Sequence, residues 1–119
     1  MSDVTIYHNP KCSTSRNALA LLRERGIEPR IVEYLKTPPS RDELKRIAHA
    51  TGRPLRALLR TKQPEVLAQG LDDPQLTDEQ LLDAMLATPV LIERPIVVTP
   101  LGARLGRPLE AVLDVLPDS

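Results

Sequence analysis

A strand–helix–strand pattern near the amino terminus constrains the fold more than any other feature of the chain. Residues 3–8 (DVTIYH) are rich in strand-forming side chains and end at an Asn-Pro turn signal. Apolar side chains recur at helical spacing over residues 13–25, Gly26 follows as a helix-ending glycine, and RIVEYL at residues 30–35 predicts a second strand. This pattern predicts a βαβ unit, in which the two strands should be parallel.

The middle of the chain, at about residues 40–88, has a helical pattern. The segments at 40–43 (SRDE) and 77–80 (TDEQ) are capping boxes, each of which marks the start of a helix. Pro54 lies inside the start of another predicted helix, PLRALLR, and Pro89 closes the last one. We therefore predict a helical insertion over this range.

The carboxyl-terminal part predicts a β-hairpin and one more helix. Residues 93–99 are rich in strand formers, a Pro-Leu-Gly turn follows, and ARLG at 103–106 is the candidate partner strand. Pro108 stands at the first position of a helix formed by LEAVLDVL. The order of these elements predicts a single α/β domain over residues 1–119, with a thioredoxin-like fold, a small mixed sheet and the helical insertion.

Composition excludes several function classes. The net charge is zero, and Phe and Trp are absent, so neither a basic surface nor an aromatic platform for nucleic acid is expected. No apolar run is long enough for a membrane span, and the first residues lack a signal-peptide pattern, so we expect a soluble, cytoplasmic protein. One cysteine and two histidines support neither a disulfide nor a metal site, and we predict no bound cofactor. No coiled coil or spare apolar stripe is visible, and a monomer is expected.

The single cysteine, Cys12, stands at the predicted strand-to-helix junction. Unpaired backbone N–H groups and the helix dipole stabilise a thiolate at such a position. His8 at the end of the strand, together with Lys11 and Arg16, adds positive charge or a hydrogen bond. The alternative is that Cys12 is a small buried hydrophobic residue. The polar surroundings, PKCSTSR, favour a reactive thiol instead.

The spacing around Cys12 excludes the common multi-residue cysteine sites. A Cys-x-x-Cys redox pair needs a second cysteine where the chain has Ser15, and a Cys-x5-Arg phosphatase loop needs arginine where it has Ala18. A cysteine protease needs a histidine partner, but His49 lies in a capped helix and is expected to face solvent. The remaining possibility is that Cys12 is a nucleophile whose product is resolved by a thiol from another molecule.

Three arginines stand at junctions that a proline or a helix end defines. Arg60 ends a predicted amphipathic helix, Arg94 directly precedes Pro95, and Arg107 precedes another proline. In a thioredoxin-like fold the proline before the third strand is usually cis and faces the active-site cysteine, which would put Arg94 beside Cys12. Three guanidinium groups around a thiolate would bind a tetrahedral oxyanion. Taken singly, each arginine is more commonly a partner in a surface or structural ion pair, and its spacing in the sequence does not change that expectation.

Five segments of the chain strongly resemble the glutaredoxin-coupled arsenate reductases of bacteria, the ArsC family: IYHNPKCSTSRNAL, YLKTPPSRDEL, RALLR, ERPIVVTPLGARLGRP and LEAVLDVLP. The resemblance runs from about residue 3 to residue 117. The combination of HNP-x-C-x-x-SR with ERPIVV is specific to this family.

The resemblance implies roles for particular residues. Cys12 would attack arsenate, and His8 would help to hold Cys12 as a thiolate. The oxyanion-binding residues would be Arg60, Arg94 and Arg107. The supporting residues would be Ser15, Arg16 and Pro95.

The resemblance also implies partners and a reaction. A thiol–arsenate adduct on Cys12 would react with glutathione as co-substrate, arsenite would leave, and glutaredoxin would reduce the resulting mixed disulfide. Two alternatives remain open from the sequence. One is a glutathione-dependent thiol reductase of another small substrate. The other is a transcriptional regulator of the Spx type, which typically carries Cys-x-x-Cys where this chain has Cys-x-x-Ser.

Overall fold

A computed structural model of the chain describes residues 3–106 and 109–116. Within these residues four strands, β1 to β4, span Thr5–His8, Arg30–Glu33, Ile96–Thr99 and Gly102–Leu105. Four α-helices, α1 to α4, span Ser13–Glu24, Arg41–Thr51, Pro64–Ala68 and Asp78–Ala87. Three 3-10 turns span Leu55–Leu58, Pro89–Leu91 and Leu109–Val115.

The strands form one mixed sheet in the order β2-β1-β3-β4. β1 and β2 are parallel, with His8 opposite Glu33, as the βαβ pattern predicted. β3 is antiparallel to both β1 and β4. The predicted α/β class is therefore confirmed, with the small mixed sheet of a thioredoxin-like fold and helices between the second and third strands.

Local sequence signals explain where the main helices begin. Both predicted capping boxes are present: Ser40 Oγ accepts from the Glu43 N–H at 3.1 Å, and Thr77 Oγ1 accepts from the Gln80 N–H at 3.2 Å. Each bond satisfies a backbone donor that the first helical turn leaves unpaired. At the other end of α2, Gly52 adopts a φ of 71°, which glycine reaches without the steric penalty of a side chain.

Two aliphatic clusters hold the sheet between its helical layers. On one face, the helical insertion packs on the sheet through Leu44, Leu58, Leu82, Met85 and Ile96, among others. On the other face, α1 and the last 3-10 turn bury the side chains of Ile6, Ala18, Leu22, Val97 and Val112. Because the chain has no Phe or Trp, branched aliphatic side chains supply most of this buried volume.

The segment PLRALLR does not form the predicted helix. It makes only a 3-10 turn, and Pro54 stands before that turn in an extended conformation. The chain then runs extended, because Leu59 forms a β-bridge with Ile92. The Arg60 N–H donates to the Leu91 carbonyl at 2.7 Å. Arg60 consequently lies on an extended segment beside the start of β3, and not at a helix end.

Three other predicted boundaries shift. β2 ends at Glu33 because the next residues turn, with the Lys36 N–H donating to the Glu33 carbonyl at 2.9 Å. β3 begins only at Ile96, since Pro95 has no N–H for the ladder. The last predicted helix is a 3-10 turn where it is described, and Pro108 lies outside the described residues. Among the described helices, none combines the length and the apolar character that a membrane span requires.

Candidate functional site

Cys12 is the N-cap residue of α1, at the end of the loop that follows β1. Its backbone is extended, with φ −95° and ψ 122°. The Cys12 N–H donates to the Asn9 carbonyl at 3.0 Å, and the Lys11 N–H donates to Asn9 Oδ1 at 3.0 Å. These bonds fix the loop so that the half-buried thiol faces the free N–H groups of the first helical turn.

The surroundings of Cys12 lower the pKa of its thiol. Burial raises this pKa, but three hydrogen-bond donors outweigh the effect: the Ser15 N–H, the Arg94 guanidinium and the Thr14 N–H. Each of them binds the charged form of the sulfur more strongly than the neutral form. The thiolate therefore forms at a lower pH than that of an ordinary cysteine, a property that suits Cys12 to the predicted role of nucleophile.

His8 contacts Ser15 in the described structure. Its Nδ1 lies 2.6 Å from Ser15 Oγ, and the same oxygen accepts the Asn9 N–H at 3.1 Å. Burial lowers the pKa of His8 and outweighs the opposite effect of Glu33, which favours the neutral form of the ring. Ser15 thus joins His8 to Cys12, through its hydroxyl on one side and its backbone N–H on the other. The thiolate-holding role that the resemblance implies for His8 stays a prediction.

Replacing Ser15 with alanine is expected to destabilise the loop. Ser15 is fully buried, and its loss would leave the His8 Nδ1 and the Asn9 N–H without the partner they have now. We expect the free energy of unfolding to fall by about 1–3 kcal/mol, measured by urea denaturation. Ser13→Ala, at an exposed position of the same helical turn, is the control and should change it by no more than about 0.5 kcal/mol. Equal effects of the two changes would contradict the assigned contacts.

Arg94 reaches the sulfur from the segment just before β3. The Arg94–Pro95 peptide bond is cis, and the Arg94 guanidinium donates a hydrogen bond to Cys12. Pro95 is buried, and its carbonyl accepts the Gly106 N–H at 2.9 Å. Gly106 has no room for a side chain, since a Cβ there would lie 2.6 Å from Pro95 Cγ. This close packing fixes the backbone from which the Arg94 side chain extends.

Arg60 is held near the same place by Glu93. Arg60 Nη1 donates to Glu93 Oε1 at 3.3 Å, and the same oxygen accepts the Arg94 N–H at 3.1 Å. Both side chains of this ion pair are about four-fifths buried, with 21% and 19% of their surface exposed. Arg60 Nε is buried and has no hydrogen-bond acceptor within the described part of the chain. A buried N–H of this kind is expected to bind an acceptor that enters the site.

Two residues of this site, Tyr34 and Glu93, were not predicted from the sequence. Tyr34 is fully buried directly after β2, and its hydroxyl donates to the Ile92 carbonyl at 3.4 Å. A signal for Tyr34 was present, because the carboxyl ends of parallel strands β1 and β2 lie at the same edge of the sheet. This arrangement could have been used to predict that the residue following β2 lies beside the Cys12 loop. No local pattern pointed to Glu93.

The other predicted site residues differ in position. Arg16 Nη1 donates to the Pro10 carbonyl at 2.9 Å on the exposed side of the loop, so its described contact braces the loop. Arg107 lies outside the described residues. No cluster of three or more potential metal ligands occurs in the described ranges.

The assembled site has the chemistry of a nucleophile beside an anion-binding surface. A thiol with a lowered pKa faces helix N-terminal N–H groups, and the Arg94 guanidinium contacts its sulfur. Arg60, with a buried unsatisfied Nε, extends from the segment that pairs with the residues before Arg94. Planar, permanently charged donors suit the oxygen atoms of a tetrahedral anion.

Comparison with known proteins gives consistent similarities. The ArsC family matches residues 7–115. An arsenate reductase of Rhizobium meliloti is 59% identical over 116 residues, which cover 98% of this chain and 83% of the relative. An arsenate reductase of Escherichia coli is 56% identical over 119 residues, covering 100% and 84%. The solved arsenate reductase of Vibrio cholerae has a TM-score of 0.91 at 51% identity, covering 95% of this chain and 97% of that one.

Proposed function

The chain belongs to the ArsC family, and on this basis we propose that it is an arsenate reductase that uses glutathione and glutaredoxin as external reductants. The observation that carries the proposal is the contact between the Arg94 guanidinium and the Cys12 sulfur. It joins a nucleophile of lowered pKa to a donor suited to an oxyanion. The names of the relatives supply arsenate as the substrate.

In the first step, the Cys12 thiolate attacks the arsenic atom of arsenate. A sulfur–arsenic bond forms, and one oxygen leaves as hydroxide or, after protonation, as water. Arsenic stays in the pentavalent state in this step. Arg94 and Arg60, and Arg107 by resemblance, stabilise the negative charge while it shifts between the oxygens. The N–H groups of Thr14 and Ser15 bind the sulfur in its charged form and keep it ready for attack.

In the second step, glutathione resolves the adduct. Its thiolate forms a disulfide with the Cys12 sulfur, the sulfur–arsenic bond breaks, and the electron pair of that bond stays with arsenic. Arsenite leaves, so the two electrons that reduce it come from the two sulfur atoms of the new disulfide. Glutaredoxin then reduces this mixed disulfide and regenerates the Cys12 thiol.

The cysteine content supports external thiols. The sequence has one cysteine, so no second thiol within it can resolve the adduct. Ser15 occupies the position of the second cysteine in a Cys-x-x-Cys pair. Its backbone N–H donates to the Cys12 sulfur, and its hydroxyl accepts the Asn9 N–H of the loop. A dependence on reduced glutathione suits the cytoplasm, where this thiol pool is kept reduced, and we propose that the protein acts there as a monomer.

The proposed function is tested by arsenate-dependent oxidation of NADPH, coupled through glutathione reductase, glutaredoxin and glutathione. We expect turnover only when arsenate, glutathione and glutaredoxin are all present. Phosphate in place of arsenate is the control, since it has the same shape and charge but is not reduced. Absence of arsenate-dependent turnover in a protein whose Cys12 still reacts with alkylating agents would contradict the proposal.

A further inference from the structure

Glu93 is a largely buried carboxylate next to two of the predicted oxyanion-binding residues, and the proposed reaction gives it no step. Its side chain is about four-fifths buried. One oxygen atom, Oε1, accepts two hydrogen bonds, from Arg60 Nη1 at 3.3 Å and from the Arg94 N–H at 3.1 Å. A carboxylate repels an anion that binds the same arginine, so its presence at this place requires an explanation.

The backbone brings Glu93 and Arg60 together. An antiparallel bridge joins the extended segments at 58–60 and 91–93. On either side of the bridge, the N–H groups of Arg60 and Glu93 each donate to a carbonyl of the opposite segment at 2.7 Å. In this register the two residues are diagonal neighbours, a separation that long side chains can span. The pairing of the two segments therefore fixes the positions from which the ion pair is made.

The ion pair with Glu93 leaves one edge of the Arg60 guanidinium for another acceptor. A guanidinium is a rigid planar fork, and the edge formed by Nε and Nη2 can bind two oxygen atoms of one anion. Glu93 binds Nη1, which is not part of that edge. Arg60 Nε is buried and has no hydrogen-bond acceptor within residues 3–106 and 109–116. An oxygen atom that enters the site and accepts this N–H would remove the cost of leaving it unpaired.

We propose that Glu93 is a positioning residue, whose carboxylate holds Arg60 Nη1 and thereby presents the Nε–Nη2 edge of Arg60 to the oxyanion. The hydrogen bond from the Arg94 N–H fixes the carboxylate in turn, because its donor and acceptor belong to adjacent residues. An arginine that is already held in place loses less side-chain entropy when it binds an anion. The proposal rests on the proposed function for the identity of the anion, but the ion pair itself needs no substrate.

Two conservative substitutions separate positioning from charge, because these two effects of Glu93 have opposite signs. The negative charge weakens anion binding, whereas the hold on Arg60 strengthens it. Glu93→Gln removes the charge and keeps an oxygen acceptor at the same place in the side chain. Glu93→Asp keeps the charge, but its carboxylate is one methylene group shorter and is drawn back from Arg60 Nη1.

The test is the strength of phosphate binding, measured as protection of Cys12 from alkylation by iodoacetamide over a range of phosphate concentrations. We expect Glu93→Asp to raise the apparent Kd for phosphate roughly threefold to tenfold, the cost of immobilising one arginine side chain on binding. Glu93→Gln should bind phosphate within about twofold of the unaltered protein, or more tightly. In arsenate turnover, Glu93→Asp should raise KM more than it lowers kcat.

Glu79→Asp is the matched control. Glu79 is an exposed glutamate at the start of α4, and its Oε1 lies 3.0 Å from Lys45 Nζ. Shortening this side chain should leave the apparent Kd for phosphate within about twofold, because the pair is a surface ion pair of the helical insertion. An unchanged Kd in Glu93→Asp, or a loss in Glu93→Gln as large as that in Glu93→Asp, would overturn the proposal.

A further variant decides if Glu93→Asp fails to fold. Arg60→Lys keeps a positive charge that can pair with Glu93, but lysine has no planar fork. We expect it to weaken phosphate binding at least threefold, and binding equal to that of the unaltered protein would overturn the proposal.

The outcomes separate this inference from the proposed function. Weaker phosphate protection in Glu93→Asp, without any arsenate turnover by the unaltered protein, would retain Glu93 as a positioning residue and remove the proposed function. Turnover by the unaltered protein with the same KM and the same phosphate protection in Glu93→Asp would do the reverse. Absence of phosphate protection in the unaltered protein would also overturn the inference, because no anion would then bind at Arg60.

Discussion

Replacing Cys12 with serine is expected to lower arsenate turnover by at least about 10⁴-fold, measured in the coupled NADPH assay. The hydroxyl of serine is far less acidic than the thiol, so the N–H groups of Ser15 and Thr14 and the Arg94 guanidinium would have no sulfur anion to stabilise. Serine also cannot form the disulfide through which glutathione releases arsenite. Both steps of the proposed reaction therefore fail in this variant.

The fold of the Cys12→Ser protein should stay intact. Cys12 is the N-cap of α1 and makes no side-chain capping bond, whereas serine is among the preferred N-cap residues. The free energy of unfolding in urea should consequently be unchanged or slightly higher. Ser13→Ala, one position along, is the control and should keep its activity. Residual arsenate turnover in a pure Cys12→Ser preparation would end the proposed mechanism.

Replacing Arg94 with alanine is expected to lower kcat/KM for arsenate roughly a hundredfold, the effect of losing charge-assisted hydrogen bonds in a partly buried site. The same change should slow alkylation of Cys12 at mildly acidic pH. Arg94 lowers the pKa of the Cys12 thiol, so its removal raises this pKa. At a pH below the raised pKa, a smaller fraction of the thiol is ionised. At alkaline pH the alkylation rates should converge.

Arg25→Ala is the matched control for this prediction. Arg25 is exposed at the carboxyl end of α1, at the opposite end of the helix from Cys12. Its removal should leave both kcat/KM and the alkylation profile within about twofold of the unaltered protein, because surface charges contribute little. Equal losses in the two variants would mean that Arg94 does not act on the reacting atoms.

Much of the fold could be predicted because its signals are local. The period of apolar residues in α1 and the capping boxes at Ser40 and Thr77 need only nearby residues, and the structure places these helix starts as predicted. The parallel pairing of β1 and β2 followed from the intervening helix. The sequence also indicated the hairpin, whose turn is marked by proline and glycine.

The errors occurred where distant residues decide the conformation. PLRALLR has a helical pattern, but a β-bridge to Ile92 and the hydrogen bond from the Arg60 N–H to the Leu91 carbonyl fix an extended segment there. Tertiary contacts of this kind override local helix propensity. This difference affects the candidate site, because the Arg60 side chain extends from an extended segment beside Glu93 and not from a helix face.

In the candidate site, too, the features that depend on local sequence could be predicted and those that depend on distant contacts could not. Cys12 and its helix N-terminus could be predicted from one stretch of sequence, and Arg94 from the proline that follows it. Glu93 could not be found by motif, because its role depends on which side chains the fold brings together. It accepts hydrogen bonds from the Arg60 side chain and the Arg94 N–H, and the sequence did indicate both of these arginines.

The central claim is that the reaction with arsenate converts Cys12 into a mixed disulfide with glutathione. Intact-mass spectrometry tests this claim most directly. The unaltered protein is incubated with arsenate and glutathione, without glutaredoxin, and its mass is measured before and after a reducing agent is added. We predict a gain of one glutathione per chain that requires arsenate, is located on Cys12 by peptide mapping, and is lost on reduction. No glutathione adduct, or an adduct that forms equally well without arsenate, would contradict the account.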